Sequence, residues 1–185
     1  MTAASVPNPE PFLVRREEAA DTDVIRAVTA AAFARSGQPP GAEVPEARLV
    51  DELRAGPAWL PALSLVAVTA AGEVIGHVLG SRGHVGAEPV VALGPLSVRP
   101  DHQRRGVGSA LVHTVLGASD ALGEPLVVLL GDPAYYSRFG FRPSADYGIT
   151  PLQPKWGRYL QVRALGGYRP SLRGTFAYAE PFDRT

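Results

Sequence analysis

"SVRPDHQRRGVGSALV", residues 97–112, joins a strand-like apolar run to a helix-like one through two arginines and a Gly-x-Gly. Glycine costs about 1 kcal/mol against alanine at an interior helix site, so Gly106 and Gly108 need a compensating role. A helix start offers backbone N–H groups without internal partners and the positive end of the macrodipole. Glycines there strip away side chains, letting an anion reach the backbone itself. Arg104 and Arg105 add charge-assisted donors suited to phosphate oxygens. The stretch therefore reads as a pyrophosphate cradle, against the plainer reading of an exposed turn with two flexible glycines. No G-x-x-x-x-G-K-[ST] occurs, which excludes a P-loop, and a dinucleotide fingerprint would want a small residue where Leu111 stands.

Working outward, Val107, Leu111, Val115, Ala118 and Leu122 fall at helical spacing, and Gly123 closes that helix. Before it, "PVVALGPLSV" (89–98) is a fourth strand interrupted by Gly94-Pro95, a pair that breaks a ladder because proline has no N–H to donate. After it, "PLVVLL" (125–130) is apolar throughout, as in a parallel strand buried on both faces. These three make a strand–helix–strand crossover. Upstream, "PFLVRRE" (11–17) is a first strand and "DTDVIRAVTAAAFARSG" (21–37) a helix with an apolar stripe of Val24, Val28 and Ala31 or Ala32. "EARLVDELRAG" (46–56) is a second helix, and "LSLVAVTA" (63–70) and "EVIGHVLGS" (73–81) form a hairpin. Downstream, "DPAYYSRFG" (132–140) is a short helix capped by Asp132. "RYLQVRAL" (158–165) alternates as a half-buried strand, and "GTFAYAEPF" (174–182) is one more.

The chain has 185 residues, enough for one well-buried domain, expected over 11–185 behind a loose tail at 1–10. Its 18 basic and 18 acidic residues cancel, so no global field draws it to nucleic acid or an anionic membrane. It has no cysteine, which removes disulfides, thiolate metal sites and a cysteine nucleophile. No metal-ligand spacing occurs. With no signal peptide and no apolar run of membrane length, a cytoplasmic setting is expected.

Gln103-Arg104-Arg105-Gly106-Val107-Gly108 matches the acyl-coenzyme A signature [QR]-x-x-G-x-[GA]. With "LGPLSV" before it, "VVLLGDPAYYSRFGF" after it and "GHVLGS" ahead of both, the sequence resembles the GCN5-related N-acetyltransferase family and, within it, the YhbS-like group. The resemblance is strongest over residues 62–143. It implies an α/β fold with a mixed, twisted central sheet, splayed fourth and fifth strands, and helices on both faces. It implies acetyl-CoA as cosubstrate, with pantetheine along Leu96, Ser97 and Val98 and the pyrophosphate on Gln103, Arg104, Arg105, Gly106, Val107, Gly108 and Ser109. Homodimers are common among relatives.

The implied activity is acetyl transfer to a primary amine of a small molecule or peptide; a non-catalytic acyl-CoA-binding module and an unrelated nucleotide-binding protein are the alternatives. Tyr136 matches the family's general acid, and a phenol of pKa near 10 is protonated at neutral pH. Tyr135, four residues before Phe139, reads as packing. The Leu96 N–H is expected to face the thioester oxygen. For the general base, His84, Glu88, Glu46, Asp51, Glu52 and a water relay stay open. His77 reads as a core histidine. The acceptor pocket is expected between the first two helices, the Ser36–Pro45 loop and the carboxy-terminal strands.

Overall fold

The computed structural model describes residues 11–35, 39 and 42–184. The tail expected over residues 1–10 and part of the Ser36–Pro45 loop lie outside them. Strand β1 (Phe12–Arg16) leads into helices α1 (Thr22–Phe33) and α2 (Pro45–Ala55). Then β2 (Trp59–Thr69), β3 (Val74–Val85) and β4 (Glu88–Val98) run as an antiparallel meander. Helix α3 (Val107–Ala121) crosses over to β5 (Leu126–Leu130), which pairs parallel to β4. Short α4 (Pro133–Tyr136), β6 (Arg142–Pro143), β7 (Ile149–Pro151), β8 (Leu160–Ala164) and β9 (Gly174–Ala177) complete the chain. The sheet order is β1-β2-β3-β4-β5-β8-β6, with β9 pairing both β3 and β7. This is the mixed α/β architecture expected.

Side chains on a strand alternate faces, and β2 uses both. Leu63, Leu65 and Ala67 pack with Val107, Leu111 and Val115 of α3, whereas Val66 and Val68 pack with Ile25, Val28, Val50 and Leu53 of α1 and α2. The central strands are thus sandwiched between helices. Two expectations need correction. The buried stripe of α1 is Ile25, Val28 and Thr29, and Val24 is exposed. Thr29 sets that rotation, since its hydroxyl lies 3.1 Å from Ser97 Oγ inside the core. In β8, Gln161 is fully buried, because its amide donates to Gly131 O at 2.8 Å.

The decisive irregularity is in β4. Leu93 sits opposite Gly80 and Leu96 opposite Val78, so three steps on β4 match two on β3, and Gly94-Pro95 forms a bulge. Gly94 has φ 142°, a conformation disfavoured for any residue with a Cβ. Pairing between β4 and β5 covers only Val91↔Val127 and Ala92↔Val128 and ends where the bulge begins. Beyond it the two strands separate.

A polar network anchors β1, β2 and α2 beneath this opening. Arg54 grips Glu17 at 2.9 and 3.2 Å. The Ser64 hydroxyl donates to the same carboxylate and therefore accepts from His77 Nε2 at 2.9 Å. His77 is fully buried, and burial lowers its pKa, so it stays neutral as expected of a core histidine. Burial alone would raise the Glu17 carboxyl, but hydrogen bonds from His77, Arg54 and Ser64 prevail and hold it at about 2.

A depressed carboxyl stabilises the fold above its unfolded pKa, here about 4.5, and that contribution disappears as pH falls toward about 2. Its upper limit is about 3 kcal/mol. We expect Glu17→Gln to lower stability at pH 7 and to flatten the loss of stability between about pH 4.5 and 2. Urea denaturation across that range measures both; an acid limb unchanged in the variant contradicts the assignment.

Candidate active site

At the splay β4 has a free edge. Arg99 N–H bonds to Ile75 O of β3. Because alternate residues face alternate edges, Ser97 also turns its backbone to β3, while Leu96 and Val98 present theirs to the gap. The Ser97 side chain is buried toward α1, so only the Leu96 and Val98 side chains share the gap's face. Gln103 extends this edge rather than the loop: its Nε2 donates to Val98 O at 3.1 Å.

The loop beyond is wound tightly. Arg104 has φ 60°, unusual for a residue with a side chain, and Gly106 has φ 87° as the residue preceding α3. The α3 ladder begins with Ala110 N bonding to Gly106 O at 2.9 Å, which leaves the N–H groups of Val107, Gly108 and Ser109 at the open helix end. Val107 anchors the turn in the core. Arg104 and Arg105 are exposed and form no ion pair among the described residues. His102, which precedes the loop, is buried, with its Nε2 3.2 Å from Arg99 Nη2.

Helix α4 brings two tyrosines back over the splay and sends them in different directions. The Asp132 carboxylate caps it by accepting from Ala134 N at 2.9 Å. Tyr136 lies on the Gly131 backbone and against Phe141, facing the gap. Burial, aided by neighbouring Tyr135, pushes its hydroxyl up to about 12. It therefore holds its proton throughout the neutral and mildly alkaline range. Tyr135 does more than pack: its hydroxyl sits 2.8 Å from where a Gly108 Cβ would stand, and Arg138 lies over its ring at 4.3 Å. A side chain at 108 would require the Tyr135 hydroxyl to shift.

The splay opens into a cavity of about 740 Å³. Leu93, Gly94, Pro95, Leu96, Leu130 and Gly131 form the side nearest the split strands, where Tyr136 also stands. Phe33 of α1 and Glu46 and Leu49 of α2 form another side, as expected from the first two helices. The carboxy-terminal contribution comes not from strands but from Tyr178, Phe182 and Asp183 beyond β9. Gln153, Lys155, Trp156 and Tyr159, in 3-10 turns between β7 and β8, were not anticipated. Their one sequence signal is aromatic density, since turns this short have no periodicity.

Of the proposed bases, only Glu46 lines this cavity. Asp51 is held by Arg26 and Arg54. Glu52 is paired with Arg48 and Arg184. His84 is paired across β3 with Ala177, and Glu88 begins β4 opposite Val85, at the end of the strand away from the splay. No group of His, Cys, Asp or Glu among the described residues is arranged to hold a metal, and no helix among them is long and apolar enough to cross a membrane.

A free strand edge, an open helix start stripped by glycine and a phenol over the gap between split strands define an acyl-transferase fold. The acetyltransferase (GNAT) family model matches residues 32–141. The uncharacterized N-acetyltransferase YhbS of Escherichia coli K12 is 35% identical over 142 residues, covering 75% of this chain and 84% of that one. The crystal structure of Escherichia coli YhbS in complex with CoA superposes with a TM-score of 0.84 at 31% identity, covering 98% of this chain and 97% of that one. A GNAT acetyltransferase from Brucella melitensis in complex with acetyl-CoA gives 0.75 at 34%, covering 94% and 99%. The chain belongs to the acetyltransferase (GNAT) family, and its class is that of the N-acetyltransferases.

Gly131 tests the placing of Tyr136. A Cβ there would stand 2.8 Å from Tyr136 Cδ2 and closer still to Cε2. We expect Gly131→Ala to push the ring aside and cost about 1–3 kcal/mol in denaturation measurements, the usual range for overpacking. Unchanged stability would mean that the ring does not rest there.

Proposed function

We propose that the chain transfers the acetyl group of acetyl-CoA to a primary amine of a small molecule or peptide, bound in the cavity at the β4–β5 split. The observation that carries this reading is the coincidence at one place of the free Leu96 edge, the open start of α3 and the protonated Tyr136. A pantetheine arm fits the Leu96–Val98 edge as an added strand would. A diphosphate fits the N–H groups of Val107, Gly108 and Ser109, with Arg104 and Arg105 beside them. The complexes of YhbS with CoA and of the Brucella melitensis protein with acetyl-CoA support this assignment.

Acetyl-CoA supplies a thioester carbon open to attack by an uncharged amine. The acceptor arrives as an ammonium, and Glu46, or a water it orders, takes the proton. The Leu96 N–H polarises the thioester oxygen. As the C–N bond forms, the nitrogen sheds its second proton to solvent; as the C–S bond breaks, Tyr136 gives its proton to the departing sulfur and regains one from solvent. A cytoplasmic setting and the homodimer suggested by relatives complete the reading. Tyr136 and Glu46 in one cavity favour catalysis over a module that only binds acyl-CoA; thiol release over a panel of amines separates the two.

Binding and chemistry are separable. Arg104→Ala should weaken coenzyme A binding by about 1.5–3 kcal/mol in calorimetry, and Gly108→Glu should abolish it. Unchanged affinity in both folded variants would remove this loop from the cosubstrate site.

Tyr136→Phe should keep coenzyme A affinity and lower kcat by about 10²- to 10⁴-fold. With its hydroxyl at about 12, Tyr136 produces no alkaline limb near pH 10, so the loss should be uniform from pH 7 to about 10. Tyr135→Phe should affect coenzyme A affinity more than kcat, because its hydroxyl faces Gly108. Equal small losses in both would leave Tyr136 a packing residue.

A further inference from the structure

We propose that the acceptor is an organic amine cation with an apolar or aromatic body and no anionic group of its own. This rests on the transfer reading above and narrows it, since amine acceptors in general include amino acids, amino sugars and phosphorylated amines. Tyr178 stacks on Phe182 at 4.2 Å between centroids and 29° between planes, and Trp156 meets Tyr178 edge-on at 5.6 Å. Phe33 and Tyr159 line the cavity too, with Arg158 already over the Tyr159 ring at 5.1 Å. Burial pushes the Tyr178 hydroxyl well above the ordinary phenol range, so this wall stays uncharged. Rings arranged this way accommodate an apolar body, and their faces attract a cation.

The carboxylates decide the sign. Around α2 and the carboxy-terminal turn most acids are matched by arginines: Asp51 by Arg26 and Arg54, Glu52 by Arg48 and Arg184, and Glu180 by Arg184. Glu46 and Asp183, which line the cavity, form no ion pair among the described residues. Asp132 lines it as well, although one of its oxygens is committed to capping α4. Against these three stands Lys155, which leaves the lining with an excess of two negative charges. An ammonium entering this lining gains attraction at every carboxylate. An acceptor with a carboxylate or phosphate near its amine brings like charge to the same groups; Lys155 is the one cation in the lining, while Arg158, which interacts with Asp132, and Arg184, which interacts with Asp183, stand behind it and temper the negative charge without reversing it.

The test is a matched pair. Phenethylamine and phenylalanine differ only by the α-carboxylate, so their ratio isolates charge from shape. With the protein saturated in coenzyme A at pH 7, we expect phenethylamine to bind at least tenfold more tightly by calorimetry. In the double variant Glu46→Gln, Asp183→Asn the ratio should fall to about threefold or less, whereas Glu46→Asp should retain it. Equal or reversed affinities, no binding of either amine, or an undiminished ratio in the double variant would each overturn the proposal. Coenzyme A affinity is read in the same titrations, and thiol release is followed separately over a wider amine panel. Failure to bind coenzyme A or to release thiol with any amine defeats the transfer reading; thiol release that favours phenylalanine over phenethylamine defeats only this one.

Discussion

The structure depends on one constraint: β4 cannot remain paired with β5 past Ala92. Gly94-Pro95 inserts an extra residue against β3 and supplies one residue without an N–H and one at a φ that a side chain resists. The opening at the candidate site follows from that failure of pairing. The backbone groups of Leu96 and Val98, which a continuous sheet would have satisfied internally, face a gap. The apolar ends of β4 and β5, which a continuous sheet would have buried, become cavity wall at Leu93 and Leu130.

A split in a sheet is tolerable only if the rest holds. Here α3 is fastened along one face by Val107, Leu111 and Val115, and α1 and α2 along the other by Ile25, Val50 and Leu53. The Glu17–His77–Ser64–Arg54 network ties β1, β2, β3 and α2 together on the second face. Arg82 and Glu124 form a two-pronged pair at 2.8 Å that joins β3 to the segment entering β5. The open region is therefore flanked by elements fastened to the rest of the fold.

Two adjacent tyrosines show how local geometry divides labour. Neighbouring residues on a short helix point roughly 100° apart. On α4 that angle sends the Tyr135 hydroxyl to Gly108 and the Tyr136 ring to Gly131. At Gly131 a ring edge occupies the volume of the missing Cβ, and at Gly108 the Tyr135 hydroxyl crowds it. The sequence shows the tyrosines and the glycines, but their pairing spans 27 residues in one case and five in the other, and no local pattern announces it.

The elements lining the core were legible from residue spacing: α3 from its apolar stripe, β5 from its unbroken apolar run, the β2–β3 hairpin from its turn. The bulge was legible too, because glycine and proline act on their own backbone, and so was the loop at 103–108, whose signature is contiguous. What the sequence by itself determined is what lies within a few residues along the chain. Tertiary structure decided the rest: which face of α1 is buried, and that Glu46 alone among the proposed bases reaches the cavity. It also decided that residues of the turns at 153–159 and 180–184 line the cavity. The physical reason is that these depend on contacts between segments tens to more than a hundred residues apart. Such contacts are selected by packing and charge pairing, and neither writes a periodicity into the chain.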